Sequence, residues 1–101
     1  MPPSPLAKAF AEQGIRDGVQ VNSIVPGPVM TGRRRSFMQK WAPVHNMSVE
    51  EATKQFPEKV GISRYGAPEE IADLLAFMVS TGAKWMTGTS VRMDGGEIKG
   101  I

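Results

Sequence analysis

The apolar positions of this chain fall into runs with two different periods. From Pro5 to Gln13, Leu6, Ala9 and Phe10 recur on one helical face. Ser4 suits the N-cap and Pro5 the first helical position. Gly14 is the expected stop and Arg16-Asp17-Gly18 a turn. Then VQVNSIV, residues 19–25, is β-branched and apolar on both alternating faces. That pattern predicts a buried strand of a parallel sheet. Pro26 and Pro28 end it, because neither can donate a ladder hydrogen bond.

Residues 29–64 lose this regularity and read as a long excursion with short helices. One candidate is SFMQKWA. Another is SVEEATKQF, with a capping box in Ser48 and Glu51 and a stop at Pro57. The strongest helical pattern is PEEIADLLAFMVS, residues 68–80, with Pro68 at its first position and Gly82 as its terminator. Ile71, Leu74, Leu75 and Met78 form a stripe, and Ala76, Phe77 and Val79 carry apolar character to the other sides. A helix of that kind is buried on more than one face. TSVRM, residues 89–93, predicts a short strand closed by Asp94-Gly95-Gly96.

The order helix, strand, excursion, helix, strand makes the class α/β with a parallel pair. Two parallel strands alone leave edges of unpaired N–H and C=O groups and need cover on both faces. The chain therefore reads as one partial domain, the end of a larger doubly wound sheet. On that reading the isolated chain associates into a dimer or larger oligomer, or is partly disordered over residues 32–64.

Composition narrows the function classes. At 101 residues there is room for one modest core. A net charge of +2 is too small to point to nucleic acid or an anionic membrane. The chain has no cysteine, which removes disulfide and thiolate chemistry. No apolar run approaches the ~18 residues of a membrane span, and the first residues lack a basic-then-apolar leader. A cytoplasmic location is expected.

GVQVNSIVPGPVMT, RYGAPEEIADLLAFMVS and TGTSVRMDGG, in this order, resemble the C-terminal part of a short-chain dehydrogenase/reductase. The resemblance covers roughly residues 6–97. It implies a Rossmann-like sheet that holds NAD or NADP at the carboxyl ends of its strands. It also implies hydride transfer between that cofactor and a small carbonyl or alcohol substrate. VQVNSIV becomes the sixth strand of that fold. Pro26, Gly27 and Pro28 then lie beside the nicotinamide. The residue matching Val29 meets the carboxamide through its backbone, and the hydroxyl matching Thr31 bonds to the carboxamide or phosphate side. Residues 32–64 match the region that closes over substrate. Residues 68–93 match a common dimer face, which implies a homo-oligomer.

Other parts of the family pattern have no match. There is no Gly-x3-Gly-x-Gly in a strand-to-helix setting. The only tyrosine is Tyr65, and four residues on stands Glu69 instead of the lysine of Tyr-x3-Lys. Lys8 follows no tyrosine. Hydride transfer requires an oriented cofactor and an acid/base group, so no catalytic residue is assigned and the chain alone is expected to be inactive. The competing reading is a non-catalytic oligomerising module derived from the same family.

The remaining polar features carry plainer readings. Pro26-Gly27-Pro28 in isolation is an ordinary strand-ending turn, and Thr31 alone a surface hydroxyl. Arg33-Arg34-Arg35 reads as a solvated loop face, and His45, the single histidine, as a loop residue and no metal ligand. Glu69 and Glu70 are adjacent, so they read as helix-dipole partners and not as a catalytic pair. Asp94 reads as a turn former. Trp41, Trp85 and the methionines read as core or interface.

Overall fold

The element order in the computed structural model, which describes residues 4–99, is α1 (Pro5–Asp17), β1 (Ser23–Pro26), α2 (Gly32–Val44), α3 (Val49–Val60), α4 (Pro68–Met78), a short 3-10 turn (Thr81–Ala83) and β2 (Ser90–Met93). The class is α/β, and β1 and β2 pair in parallel with Ser23 opposite Ser90 and Pro26 opposite Met93. The chain divides into two compact units. Of the described residues, one holds 4–26 and 70–93; the other holds 27–69 and 94–99.

In the first unit, α1 begins as its sequence predicts: the Ser4 hydroxyl accepts the Ala7 N–H at 3.1 Å and Pro5 opens the helix. It ends four residues later than expected. Gly14 lies inside the helix, and the left-handed cap is Gly18 at φ 69°. Close packing is what requires a glycine at 14. A Cβ there would stand 2.5 Å from the Val19 carbonyl oxygen, and the Val19 N–H donates to the Gly14 carbonyl at 2.9 Å.

The predicted strand 19–25 is laddered only over Ser23–Pro26. Its first half faces the 3-10 turn and the segment after it, which offer no regular strand. Side-chain amides bridge the gap. Gln20 Nε2 donates to the carbonyls of Ala83 (2.6 Å) and Met86 (2.7 Å). Asn22 Nδ2 donates to Met86 O at 3.0 Å, and Asn22 Oδ1 accepts the Thr89 N–H at 3.2 Å. The ladder starts at the next residue, where the Ser23 N–H reaches Thr89 O at 2.9 Å.

Helix α4 stops at Met78, not at Ser80, because the Ser80 hydroxyl and N–H both turn back to the Phe77 carbonyl. Gly82 falls within the 3-10 turn. The all-round burial expected of α4 is absent within the chain. Met78 is its one buried residue, Leu75 and Phe77 are half exposed, and Trp85 just beyond is 99% exposed. The core reading of Trp85 is thereby overturned.

In the second unit, residues 32–64 are not short helices in a loop but two full ones. Thr31 caps α2, so Arg33, Arg34 and Arg35 form its first turn instead of a loop. The Ser48 hydroxyl accepts the Glu51 N–H at 3.1 Å and starts α3. Pro57 does not stop α3. It lies in the helix near its C-terminal end, and the stop is Gly61 at φ 77°. The Ile62 N–H closes that end onto the Pro57 carbonyl at 2.9 Å. Met38 and Ala42 of α2 bury against Ala52 of α3, with Trp41, Met47, Phe56 and Tyr65 packed around them. His45 caps the C-terminus of α2 and stacks on Trp41 at 3.7 Å between centroids.

Gly14→Ala is expected to destabilise the chain by ~1–3 kcal/mol through this close approach, although alanine is the better helix former. Gly32→Ala, where a Cβ meets nothing within 4 Å, is expected to stay within about 0.5 kcal/mol of the parent. Urea denaturation midpoints for the two variants check the contrast.

Candidate functional site

The segment after β1 is shaped by a short set of backbone contacts. Pro26 closes the strand opposite Met93. In the second unit, Gly27 lies against Asp94: a Cβ on Gly27 would come within 2.6 Å of Asp94 Cα and Cβ. Only glycine fits there, and the close approach it permits is to the chain's own backbone. Asp94 is itself held, as its turn-forming reading requires. Its carboxylate accepts the N–H groups of Gly96 (2.9 Å) and Ile98 (3.2 Å).

Pro28 is buried, and from it the chain forms a single parallel bridge, Val29 to Gly66. The Gly66 N–H donates to Pro28 O at 3.0 Å, and the Met30 N–H donates to Gly66 O at 3.0 Å. In a parallel bridge the flanking residues make the bonds. Val29's own N–H and C=O therefore point away from Gly66 and have no hydrogen-bond partner among the described residues. One donor beside one acceptor complements a primary carboxamide, which has an acceptor oxygen beside a donor NH2.

Thr31 follows, exposed, with its hydroxyl accepting the Arg34 N–H at 3.2 Å. That bond uses an oxygen lone pair, so the hydroxyl proton remains available to donate. It sits at the positive N-terminal end of α2, whose first turn carries Arg33, Arg34 and Arg35. The structure thus brings Gly27, Pro28, Val29 and Thr31 together on one short segment of the second unit, with Pro26 immediately before them at the end of β1. Gly66, which pins the segment, was not singled out from the sequence. Its only sequence signal is a glycine in the extended stretch just before Ala67-Pro68.

Among the described residues, the acidic group against this segment is Asp94, whose carboxylate is held in its own turn, and the single tyrosine does not join the set. Tyr65 is turned into the α2–α3 packing, stacked on Phe56 at 5.8 Å, with its hydroxyl buried and unpartnered among the described residues. Burial pushes its phenol above the ordinary value of 10.0, and the Arg34 guanidinium opposes that in part. The described residues contain no cluster of His, Cys, Asp and Glu that could hold a metal ion.

Comparison with known proteins identifies the surroundings. A family model described as enoyl-(acyl carrier protein) reductase matches residues 4–97. The NADPH-dependent reductase BacG of Bacillus subtilis is 32% identical over 82% of this chain. The glucose and ribitol dehydrogenase homolog of Oryza sativa is 33% identical over 90%. The chain spans 27–32% of the length of these relatives. A short-chain dehydrogenase family protein from Francisella tularensis superposes at TM-score 0.86 with 35% identity, covering 91% of this chain and 38% of the other. L-sorbose reductase of Gluconobacter frateurii, solved with NADPH and L-sorbose, superposes at TM-score 0.88 with 25% identity, over 95% and 37%.

Because the folded chain keeps the Tyr65 proton to higher pH than the unfolded chain does, this group's contribution is complete below about pH 10 and is lost as pH rises through the folded value. Tyr65→Phe is expected to remove that alkaline loss without lowering stability at pH 7, since it deletes an unpartnered buried hydroxyl. Denaturation at pH 7 and above pH 10 tests this, with ultraviolet absorbance following the single tyrosine.

Proposed function

The chain belongs to the short-chain dehydrogenase/reductase family, carrying a C-terminal portion of its Rossmann-like fold, and from that membership we propose that it supplies the nicotinamide-facing side of an NAD(P)-dependent oxidoreductase. The observation that carries this reading is the outward N–H and C=O pair of Val29, held by the bridge to Gly66 and followed by the donor hydroxyl of Thr31. The cofactor, when bound, supplies or accepts the hydride exchanged with a small carbonyl or alcohol substrate.

The chain's own residues bind and orient. Val29 would take the carboxamide with its backbone pair, which fixes the plane of the ring. Thr31 would donate to the carboxamide or to a phosphate oxygen, and the positive end of α2 favours that negative charge. Pro26, Gly27 and Pro28 hold the segment rigid, so little ordering entropy is lost on binding. Helices α2 and α3 would cover the substrate and exclude water. No proton-transfer group is assigned on this chain, and the 101-residue chain is expected to be inactive by itself. Among the described residues no helix is long and apolar enough to cross a membrane, and a cytoplasmic setting fits the reading.

One observation favours the second reading, an interaction module. Leu75, Phe77, Val79 and Trp85 are 50–99% exposed on one short stretch of the first unit. Exposed apolar surface of that kind marks an interface, and residues 68–93 are its natural limits. The two readings are compatible, since a subunit of an oligomeric reductase has both.

Titration with NADPH, followed by its fluorescence, is expected to show no saturable binding to the 101-residue chain. Saturable binding is expected to a product that also carries a Gly-x3-Gly-x-Gly fingerprint and Tyr-x3-Lys. Saturable binding to the short chain alone would contradict its dependence on the rest of the fold. In sedimentation, the chain is expected to self-associate, and the Phe77→Ser/Trp85→Ser variant to weaken association at least about tenfold, the cost of exposing one large apolar contact.

A further inference from the structure

Helices α2 and α3 are packed through small or flexible residues, Met38, Ala42 and Ala52. On one side this leaves a cleft of about 390 Å³ with an apolar lining. That volume falls in the range of roughly 300–1,000 Å³ found for small-molecule sites. Phe37, Trp41, Phe56 and Val60 supply the apolar surface, and Phe37 is 52% exposed. The cleft also contains two cations. The Arg34 guanidinium lies 4.9 Å from the Phe56 ring centroid, and Lys59 Nζ lies 5.7 Å from that of Trp41.

Neither cation has a carboxylate partner among the described residues. Each is instead laid along an aromatic wall of the cleft, where the ring face attracts it. The cleft lining contains no carboxylate; its remaining polar side chain is the neutral amide of Gln55. The result is a small apolar slot with uncompensated positive charge from both of its helices. We propose that the α2–α3 cleft binds a small amphipathic anion, its apolar chain or ring against Phe37, Trp41, Phe56 and Val60 and its carboxylate or phosphate at Arg34 and Lys59. The proposal rests on the reading above only in calling that anion the substrate class; the binding itself needs no cofactor.

Charge complementarity decides for this occupant. A purely apolar ligand would leave two cations in a partly desolvated slot with no counter-charge. A free inorganic anion would meet the two cations but leave the apolar walls unfilled. A ligand with both parts satisfies both surfaces, and a carboxylate held by two cations makes charge-assisted hydrogen bonds.

The test uses the 101-residue chain carrying Trp85→Phe, so that Trp41 in the cleft is the one remaining tryptophan. Trp85 is almost fully exposed and does not line the cleft, so its replacement leaves the cleft lining intact. Dodecanoate, dodecan-1-ol and acetate are titrated below micellar concentrations, and Trp41 fluorescence is read. Dodecanoate is expected to bind saturably and about tenfold more tightly than the alcohol, and acetate not to bind. The further change Arg34→Gln/Lys59→Gln, with circular dichroism to confirm its helices, is expected to abolish the preference for the acid. Equal binding of acid and alcohol, absence of saturable binding, or an unchanged preference in the double variant would each overturn the proposal. If dodecanoate fails while a fingerprint-bearing product still binds NADPH, the substrate class falls and the reductase reading stands.

Discussion

The two hydrogen bonds that tie Pro28 and Met30 to Gly66 are the constraint on which the candidate site depends. If nothing held the chain beyond Pro26, residues 27–31 would sample many conformations. The bridge fixes Val29 between two bonded neighbours and turns its own N–H and C=O outward. Gly27 and Asp94 support this from the other side, where the absence of a Cβ lets backbone approach backbone. Thr31 then converts the end of the segment into the start of α2. Each step is a local rule of backbone geometry, and together they present three hydrogen-bonding groups within three residues.

The same structure shows what the chain does not supply. Among the described residues the sheet has two strands, and the buried hydrophobic core is four alanines, two methionines and one isoleucine: Ala11, Met38, Ala42, Ala52, Ile62, Met78 and Ala83. Several large apolar side chains remain in water, Trp85 most of all. A core of this kind gives a modest hydrophobic contribution, at ~25 cal/mol per Å² of apolar surface removed from water. A helix that is apolar on several sides, but buried at one residue, is shaped for surroundings larger than this chain. The length match to about a third of its relatives agrees with that.

Much of this was legible in the sequence, and the exceptions have physical reasons. The N-caps Ser4 and Ser48, the parallel pair and the turn at Asp94 follow from local chemistry and were readable. Helix ends were less so. Gly14 looks like a stop because glycine usually is one, and only the approach of Val19 shows why it sits mid-helix. Pro57 looks like a stop, yet α3 continues through it for three residues. The first half of the predicted strand fails because its neighbour is an irregular segment, which no local pattern reveals. Within the site, Pro26, Gly27, Pro28, Val29 and Thr31 came from a motif resemblance, whereas Gly66 is distant in sequence and its role is visible only in the fold. The cleft between α2 and α3 was invisible for the same reason, since Arg34 and Lys59 meet their rings only once the helices pack.

The central claim is that Val29's backbone pair is kept for a nicotinamide carboxamide. Amide hydrogen exchange on a product that joins this chain to a Gly-x3-Gly-x-Gly fingerprint and Tyr-x3-Lys, with and without NADPH, tests it most directly. The Met30 amide is already bonded to Gly66 and should exchange slowly in both states. The account predicts that the Val29 amide exchanges freely without cofactor and becomes protected when NADPH is added. Protection of Val29 before any cofactor is present, or NADPH binding that leaves its exchange unchanged, would contradict it.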